Sequence, residues 1–375
     1  MSRLLEILIS LVIVAAIFLI VALILPSKRA LTESVETNRR VGVVHDTVNS
    51  FRRFGEWNAI TLRDPGAQLT RSGPEEGVGA KLDYRSNVAT VGNGSWEIVE
   101  SVPGESVTYA INDTHRGSNK RSKISLEITG RGMRNVEITQ DYRVDYGWDL
   151  LGRYAGLYVS GNVGDDLRLG LDRLSAMLAS VPNVDYNEMG PRFTGLDIVD
   201  RPVENLLVVN AGSIERKDEA LASAMKSNME WIRRTMDANN LVAAGPMRIQ
   251  STEVGRDNYA FDVVQPVRRR GGAAATTSSE EGDNAAPVVA DAGPELTGLT
   301  LQGPVKYERT EATRAVTVDF GGYWAELENA RNAMRAWAMT RGHEVIGRPY
   351  EDYIGGIDAA FSTDGKYKLY WDLKP

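Results

Sequence analysis

The sequence predicts an α+β protein that consists of an N-terminal transmembrane helix, an antiparallel sheet closed by a long C-terminal helix, and a duplicated βαββ domain. Three observations support this prediction: a long apolar run near the amino terminus, β-type segments followed by an amphipathic helix, and a strand–helix–strand–strand order that occurs twice. We place the anchor in residues 1–30, the first domain in 31–182 and the second in 193–375. A chain of 375 residues is long enough for both domains.

The N-terminal apolar run covers residues 7–25 and contains a single polar residue, Ser10. As a helix at about 1.5 Å per residue it is roughly 28 Å long, which matches the ~30 Å apolar thickness of a bilayer. The run exceeds the usual apolar region of a signal peptide, and the residues that follow it lack a small-residue cleavage site. A buried core helix, the other alternative, would carry more polar residues. We therefore predict an uncleaved membrane anchor.

Basic residues flank both ends of this run, and they bear on its orientation. Arg3 precedes the run, whereas Lys28 and Arg29 follow it. Lys and Arg usually remain on the cytoplasmic side, so their count favours a cytoplasmic body, while a short amino-terminal tail favours the opposite topology. We expect a single-pass protein of a bacterial inner membrane, with its soluble part on either the cytoplasmic or the periplasmic side.

The overall composition excludes several classes of function. The formal net charge is −7, and nucleic-acid binding requires a basic surface, so we predict no nucleic-acid partner. The chain has no cysteine, which excludes disulfides, thiol catalysis and cysteine-ligated metals. Its three histidines are far apart in sequence, whereas a histidine metal site usually contains a close pair. The sequence therefore predicts neither a metal nor another cofactor.

The first domain contains β-type runs separated by glycine-rich turns. An extended segment, 34–44, precedes them, followed by a short helix predicted to start at Asp46 and Thr47. Leucine and valine recur every three or four residues in 163–181, which predicts an amphipathic helix of about five turns. The predicted strands between these helices are 80–87, 95–102, 106–112, 123–129 and 135–145.

Three motifs in this domain carry a family resemblance: FGEWN at 54–58, GVG at 77–79, and GSWEIV at 94–99. With them, the domain resembles the START/polyketide-cyclase-like (SRPBCC) superfamily, whose fold is a helix-grip. The resemblance implies an apolar cavity between the sheet and the long helix that holds a lipid-like or aromatic small molecule, and it implies no particular reaction. For any single candidate, a place in the plain core or a membrane-facing position is the favoured alternative. These candidates are Trp57, Trp96, Tyr109, Trp148 and Tyr158.

The second domain is predicted from an internal duplication. A strand that ends at Gly212 is followed by an amphipathic helix and two further strands, and the same order recurs after a strand that ends at Gly321. Trp231 and Trp337 occupy equivalent places on the two helices. Between the copies, residues 271–294 are rich in Gly, Ala, Thr, Ser and acidic residues, which predicts a flexible insertion.

The duplicated unit resembles the GyrI-like small-molecule-binding domain, which also forms the effector-binding half of some transcription activators. The motifs that carry this resemblance are GGYW at 321–324, PYEDY at 349–353 and YWDLKP at 370–375. It implies a ligand held between the two copies against aromatic side chains. Many relatives carry an acid on the last strand, but Lys368 stands there in this chain, so recognition of a cation is in doubt. The candidate ligand-binding residues are Tyr323, Trp324, Trp337, Tyr353, Lys368 and Tyr370.

Sequence motifs for catalysis are absent: the chain contains no G-x-S-x-G, no H-E-x-x-H and no phosphate-binding glycine loop of the Walker type. Our leading hypothesis is therefore a membrane-anchored protein that binds a hydrophobic or aromatic small molecule, or a lipid from the bilayer, in one or both domains. Two alternatives are a cyclase- or hydrolase-type enzyme that acts in the helix-grip cavity, and a ligand-sensing scaffold. The sequence leaves the identity of any protein partner unknown.

Overall fold

The computed structural model describes residues 2–271 and 293–375, which form two units. The first unit extends to Asp185 and includes Thr340–Gly342, and the second comprises Tyr186–Met339 and His343–Pro375. The predicted insertion, 271–294, lies almost entirely outside the described residues. The predicted α+β class is confirmed, because each unit combines an antiparallel sheet with packed helices.

The N-terminal helix, α1, covers Ser2–Ile24 and leaves most of its large apolar side chains exposed. Within it, Arg3–Ile24 is long and apolar enough to cross a membrane, and no other helix in the described part of the chain meets that criterion.

The first unit contains a seven-stranded antiparallel sheet in the order β1-β7-β6-β5-β4-β3-β2. Helix α6 packs against β1 and the short helix α3, and its buried leucines recur at helical spacing. This sheet with its long closing helix is the predicted helix-grip. The strands are β1 Lys28–Thr37, β2 Gln68–Ser72, β3 Lys81–Arg85, β4 Asn93–Val102, β5 Ser106–Asp113, β6 Ser118–Thr129 and β7 Asn135–Asp145. The helices after α1 are α2 Val41–Val48, α3 Phe54–Trp57, α4 Ala59–Arg63, α5 Leu150–Ala155 and α6 Val159–Ala179.

One local prediction in this unit was wrong, and one strand was not predicted. Helix α2 begins at Val41, five residues before the predicted start at Asp46. Its valines suggest extended structure from sequence alone, but Val43, Val44 and Val48 are completely buried on the helix, and that packing outweighs their β propensity. Strand β2 was not predicted, because this sheet-edge strand is largely exposed and lacks apolar alternation.

The second unit contains the two predicted βαββ copies in a single nine-stranded sheet. The first copy is β9 Asn205–Glu215, α7 Asp218–Ala238, β11 Arg248–Val254 and β12 Asn258–Arg269. The second copy is β14 Thr313–Gly321, α8 Leu327–Thr340, β15 Tyr350–Tyr353 and β16 Lys366–Asp372. The remaining elements of the unit are β8 Phe193–Arg201, β10 Leu241–Ala243, β13 Lys306–Arg309 and α9 Gly356–Ala360.

The strand order shows how the two copies join. Along the sheet it is β13-β9-β12-β11-β15-β16-β14-β8, so the second strands of the two copies, β11 and β15, pair at the centre. The strand that precedes each copy pairs with the other copy: β8 pairs with β14, and β13 pairs with β9. This exchange ties both copies into one sheet.

Candidate functional site

The first unit contains a cavity of about 140 Å³ bounded by the sheet, the α3–α4 segment and helix α6. Strands β3, β4, β5 and β7 supply one wall, and α6 supplies Val163 and Leu167 on the other. Gly170 on α6 also lines the cavity, next to Trp57. The place of this cavity, between the sheet and the long helix, is the one that the sequence resemblance implied.

Aromatic side chains form much of the cavity wall. The Trp96 ring meets the rings of Phe54 and Tyr109 edge-on, with centroids 5.2 and 5.5 Å apart. The Trp57 ring packs edge-on against Phe54 at 5.3 Å, which fixes both tryptophans in place. The buried indole Nε1 of Trp57 has no hydrogen-bond partner among the described residues. This side chain therefore retains an unused donor beside the cavity.

A buried ion pair lies at one end of the cavity. The Lys120 ammonium pairs with the Asp113 carboxylate, which lines the cavity, and also donates to the backbone oxygen of His115 at 2.8 Å. Both charged side chains are almost completely buried, so the two charges neutralise each other in a medium of low dielectric. The cavity thus has a polar end next to its aromatic wall.

Two tyrosines on the cavity wall are held in the protonated form. Burial raises the pKa of the Tyr84 phenol, and the negative charge of Asp113 raises it further. The same two causes raise the pKa of Tyr142. Because both phenols stay protonated at physiological pH, they can donate hydrogen bonds to an acceptor in the cavity.

A second ion pair, between Arg63 on α4 and Asp166 on α6, also lines the cavity and is partly exposed. Burial raises the pKa of Asp166, and this effect outweighs the lowering by Arg63. The ring Nε2 of His115, another lining residue, lies 3.3 Å from the backbone oxygen of Val91. The cavity can therefore hold an apolar or aromatic body whose polar group faces phenols, an imidazole and two paired carboxylates.

The five candidate cavity residues of the first domain lie in three different environments. Trp57 and Trp96 line the cavity. Tyr109 is fully buried in the core, where its hydroxyl donates to the backbone oxygen of Val48. Trp148 and Tyr158 are on the surface, 83% and 70% exposed.

The second unit contains a narrow cleft lined in part by its aromatic residues. Trp324 and Tyr353 line it, together with Arg216 and Arg331, and its volume is about 10 Å³. That volume is at the lower limit for a single water molecule. Arg331, which lines the cleft, donates to the buried Glu351 carboxylate at 2.5 Å and to the Tyr259 hydroxyl at 3.2 Å.

The other candidates of the second unit do not line this cleft, although the Tyr323 ring packs against Trp324 with centroids 5.8 Å apart. The Tyr323 hydroxyl and the Trp324 indole both donate to Asp218, and Trp337 is half-buried on α8. Tyr353 faces Tyr367 across the β15–β16 pair, so strand alternation places the neighbours Lys368 and Tyr370 on the opposite sheet face. Lys368 pairs there with Asp319 at 3.4 Å.

Sequence reasoning did not identify the polar residues of the first cavity. The alternating sequence pattern of β3 and β7 could have indicated that Tyr84 and Tyr142 lie on the buried face of the sheet. Asp113 and Lys120 belong to the neighbouring strands β5 and β6, and their pairing depends on a strand register that the sequence does not reveal. No group of three or more acidic or histidine side chains suited to a metal occurs in residues 2–271 and 293–375.

No protein-family model and no curated protein sequence matches the chain. Among solved structures, the chain is similar to the C-terminal domain of EcmrR at 16% identity and a TM-score of 0.34, over 48% of this chain and 97% of that one. It is also similar to norcoclaurine synthase from Thalictrum flavum at 15% identity and a TM-score of 0.32, over 41% of this chain and 94% of that one. A third similar structure is the protein XoxI from Bacillus cereus, at 14% identity and a TM-score of 0.31, over 40% of this chain and 96% of that one. At identities of 14–16% and TM-scores of 0.31–0.34, these similarities support no conclusion about the fold or the function of this chain.

Proposed function

We propose that this protein is a membrane-anchored binding protein for a small apolar or aromatic molecule that carries at least one hydrogen-bonding group. The observation that supports the proposal best is the cavity of about 140 Å³ in the helix-grip unit. Its tryptophans offer flat apolar contact, while Tyr84, Tyr142 and the Trp57 indole offer donors. Helix α1 would keep this cavity beside a lipid bilayer, from which an apolar ligand can partition.

The charges in the cavity narrow the class of ligand. Asp113 and Asp166 are already paired with Lys120 and Arg63, so the cavity presents no uncompensated carboxylate to attract a cation. Removal of a free cation from water would also be costly in such a buried site. A neutral molecule with an acceptor group, such as a phenol, a ketone or a fatty ester, fits this arrangement best.

A substitution that fills the cavity tests the proposal. Val163 lines the cavity on α6, so we expect Val163→Trp to exclude the ligand while the domain stays folded. Native mass spectrometry of the detergent-solubilised full chain should show a copurified small molecule on the wild type and its loss from the variant. Leu169→Trp, at a 40% exposed position of the same helix, is the matched control and should retain the ligand. Equal amounts of the small molecule on Val163→Trp and Leu169→Trp would mean that it does not bind in this cavity.

An acid–base enzyme is the second candidate, and a specific observation favours it. Asp166 has a pKa raised by burial, and His115 and Asp113 line the same cavity, so groups able to donate and accept protons surround one space. If the protein is an enzyme, wild-type protein should convert the copurified molecule over time, and Asp166→Asn should retain binding but lose conversion. Asp165→Asn, which changes an exposed neighbour, should convert normally. An unchanged molecule after prolonged incubation with wild type leaves binding as the function.

A further inference from the structure

Residues 148–158 expose several large apolar and aromatic side chains to the surface. This segment contains α5 and the turn that leads into α6. Trp148 and Tyr158 are the most exposed of its large side chains, and Leu151 and Leu157 are also about half exposed. Trp and Tyr are the residues that concentrate at membrane–water interfaces, because one end of each ring system is apolar and the other can hydrogen-bond.

This segment is attached directly to the C-terminal end of α1. The Arg153 guanidinium donates to the backbone oxygens of Ala22 and Leu23, both at 3.2 Å, and to that of Leu25 at 3.4 Å. The carbonyls of Ala22 and Leu23 belong to the last turn of α1 and have no partner further along the helix, and Leu25 follows directly after its end. The same guanidinium lies 5.9 Å from the Trp148 ring centroid, so Trp148 is one contact away from the end of α1.

A second contact extends further along α1. The Tyr154 ring stacks on Phe18 with centroids 4.4 Å apart, and its hydroxyl donates to the Phe18 backbone oxygen at 2.8 Å. Phe18 lies seven residues before the end of the apolar run, which is about 10 Å along a helix. A bilayer that encloses this run must therefore also meet the Tyr154 side chain and its exposed neighbours.

We infer that residues 148–158 form a membrane-interface segment, seated in the headgroup and upper acyl region of the bilayer that α1 spans. The inference rests on the proposed membrane anchoring of α1. Interfacial segments commonly insert about 5–10 Å, which agrees with the depth of the Phe18 contact. Lys28, at the start of β1, has a largely exposed side chain that lies 3.8 Å from Asp145 and remains open to anionic headgroups.

The interface segment places one wall of the cavity close to the bilayer. Helix α6 begins at Val159, directly after the interface segment, and its residues Val163 and Leu167 line the cavity. Val163 is five residues beyond Tyr158, or about 7.5 Å of helix. The segment therefore holds one wall of the cavity within about two helical turns of the bilayer surface, a short path for an apolar ligand from the lipid.

Fluorescence quenching of the full chain in phosphatidylcholine nanodiscs tests this inference. Of the seven tryptophans, the other six are buried or only partly exposed, so Trp148 should give the component quenched by lipid brominated near the headgroup end of its acyl chains. Trp148→Phe keeps an apolar ring there and should abolish that component. Trp96→Phe removes a buried tryptophan of the same unit and should leave the component in place.

Two other results would overturn the inference. Quenching of Trp148 by aqueous iodide rather than by brominated lipid would place it in water, and protection from both quenchers in a dimeric sample would place it between two copies of the chain. Alkaline carbonate extraction separates this failure from failure of the anchor. A chain that carbonate releases from membranes overturns both proposals, whereas a retained chain with iodide-quenched Trp148 overturns the interface segment alone.

Discussion

Arg248→Ala should lower the free energy of unfolding of the second unit by about 3–5 kcal/mol, because it would leave two buried carboxylates without their main partner. The Arg248 guanidinium donates to Asp352 at 2.8 Å and to both oxygens of Glu204 at 3.0 and 3.2 Å. It also lies 4.4 Å from the Tyr350 ring centroid. Arg248, Glu204 and Asp352 are all buried, so loss of the guanidinium leaves both carboxylates with unmet hydrogen bonds in a site shielded from bulk water.

For Glu204, the pH dependence of this loss follows from the effect of Arg248 on the pKa of its carboxyl group. Burial alone would raise the pKa of Glu204, but Arg248 and Arg201 outweigh it and hold the pKa below the ordinary value. In wild type, the stabilisation from Glu204 is therefore present at neutral pH and is lost as the pH falls through that lowered pKa. Without Arg248, the buried carboxylate should take up a proton at higher pH, which removes its uncompensated charge. The difference between wild type and variant should thus shrink on acidification.

Thermal unfolding of the full chain, followed by calorimetry at several pH values, measures this effect. A loss of this size should lower the melting temperature of the second unit by roughly 10 °C. Arg314→Ala is the matched control, because its pair with Asp200 is 4.0 Å long and the two side chains are 61% and 92% exposed. Such a pair contributes at most about 1 kcal/mol. Equal effects of the two substitutions would mean that the buried network does not stabilise the unit.

Local periodicity and repetition allowed much of the fold to be predicted. The leucine spacing of α6 and the repeated strand–helix–strand–strand order depend on residues close in sequence. Both patterns are therefore visible in the amino-acid sequence. The exchange of β8 and β13 between the two copies could not be predicted. It joins segments about a hundred or more residues apart, and the exposed strand β13 has no distinctive pattern.

The candidate sites were harder to predict, because they depend on strand register. The resemblance to GyrI-like domains suggested that Lys368 and Tyr353 share a ligand site, but alternation along paired strands puts them on opposite faces. The Arg248 network likewise joins Glu204, 44 residues earlier, to Asp352, 104 residues later. Composition identifies such charged residues, whereas only the assembled sheet brings them together.

Leu174→Asp should destabilise the first unit by roughly 4 kcal/mol or more, because it would place a carboxylate at a position with no solvent exposure. Leu174 lies on the buried stripe of α6 with Leu171 and Leu178. The loss combines two effects: removal of a leucine from a packed core and desolvation of a charge. Since α6 also forms a wall of the cavity, the variant should lose any bound ligand.

A change of pH separates these two effects. Burial would raise the pKa of the introduced carboxyl far above its ordinary value, so the charge penalty is absent at low pH and grows as the pH rises through that range. The variant should therefore regain part of its stability on acidification, while the packing loss remains. Leu169→Asp, at the exposed position of the same helix, should cost less than about 1 kcal/mol, mostly through like charges one turn away. Calorimetry that found equal melting temperatures for the two variants would mean that Leu174 does not face the core, and the helix-grip packing described for α6 would be wrong.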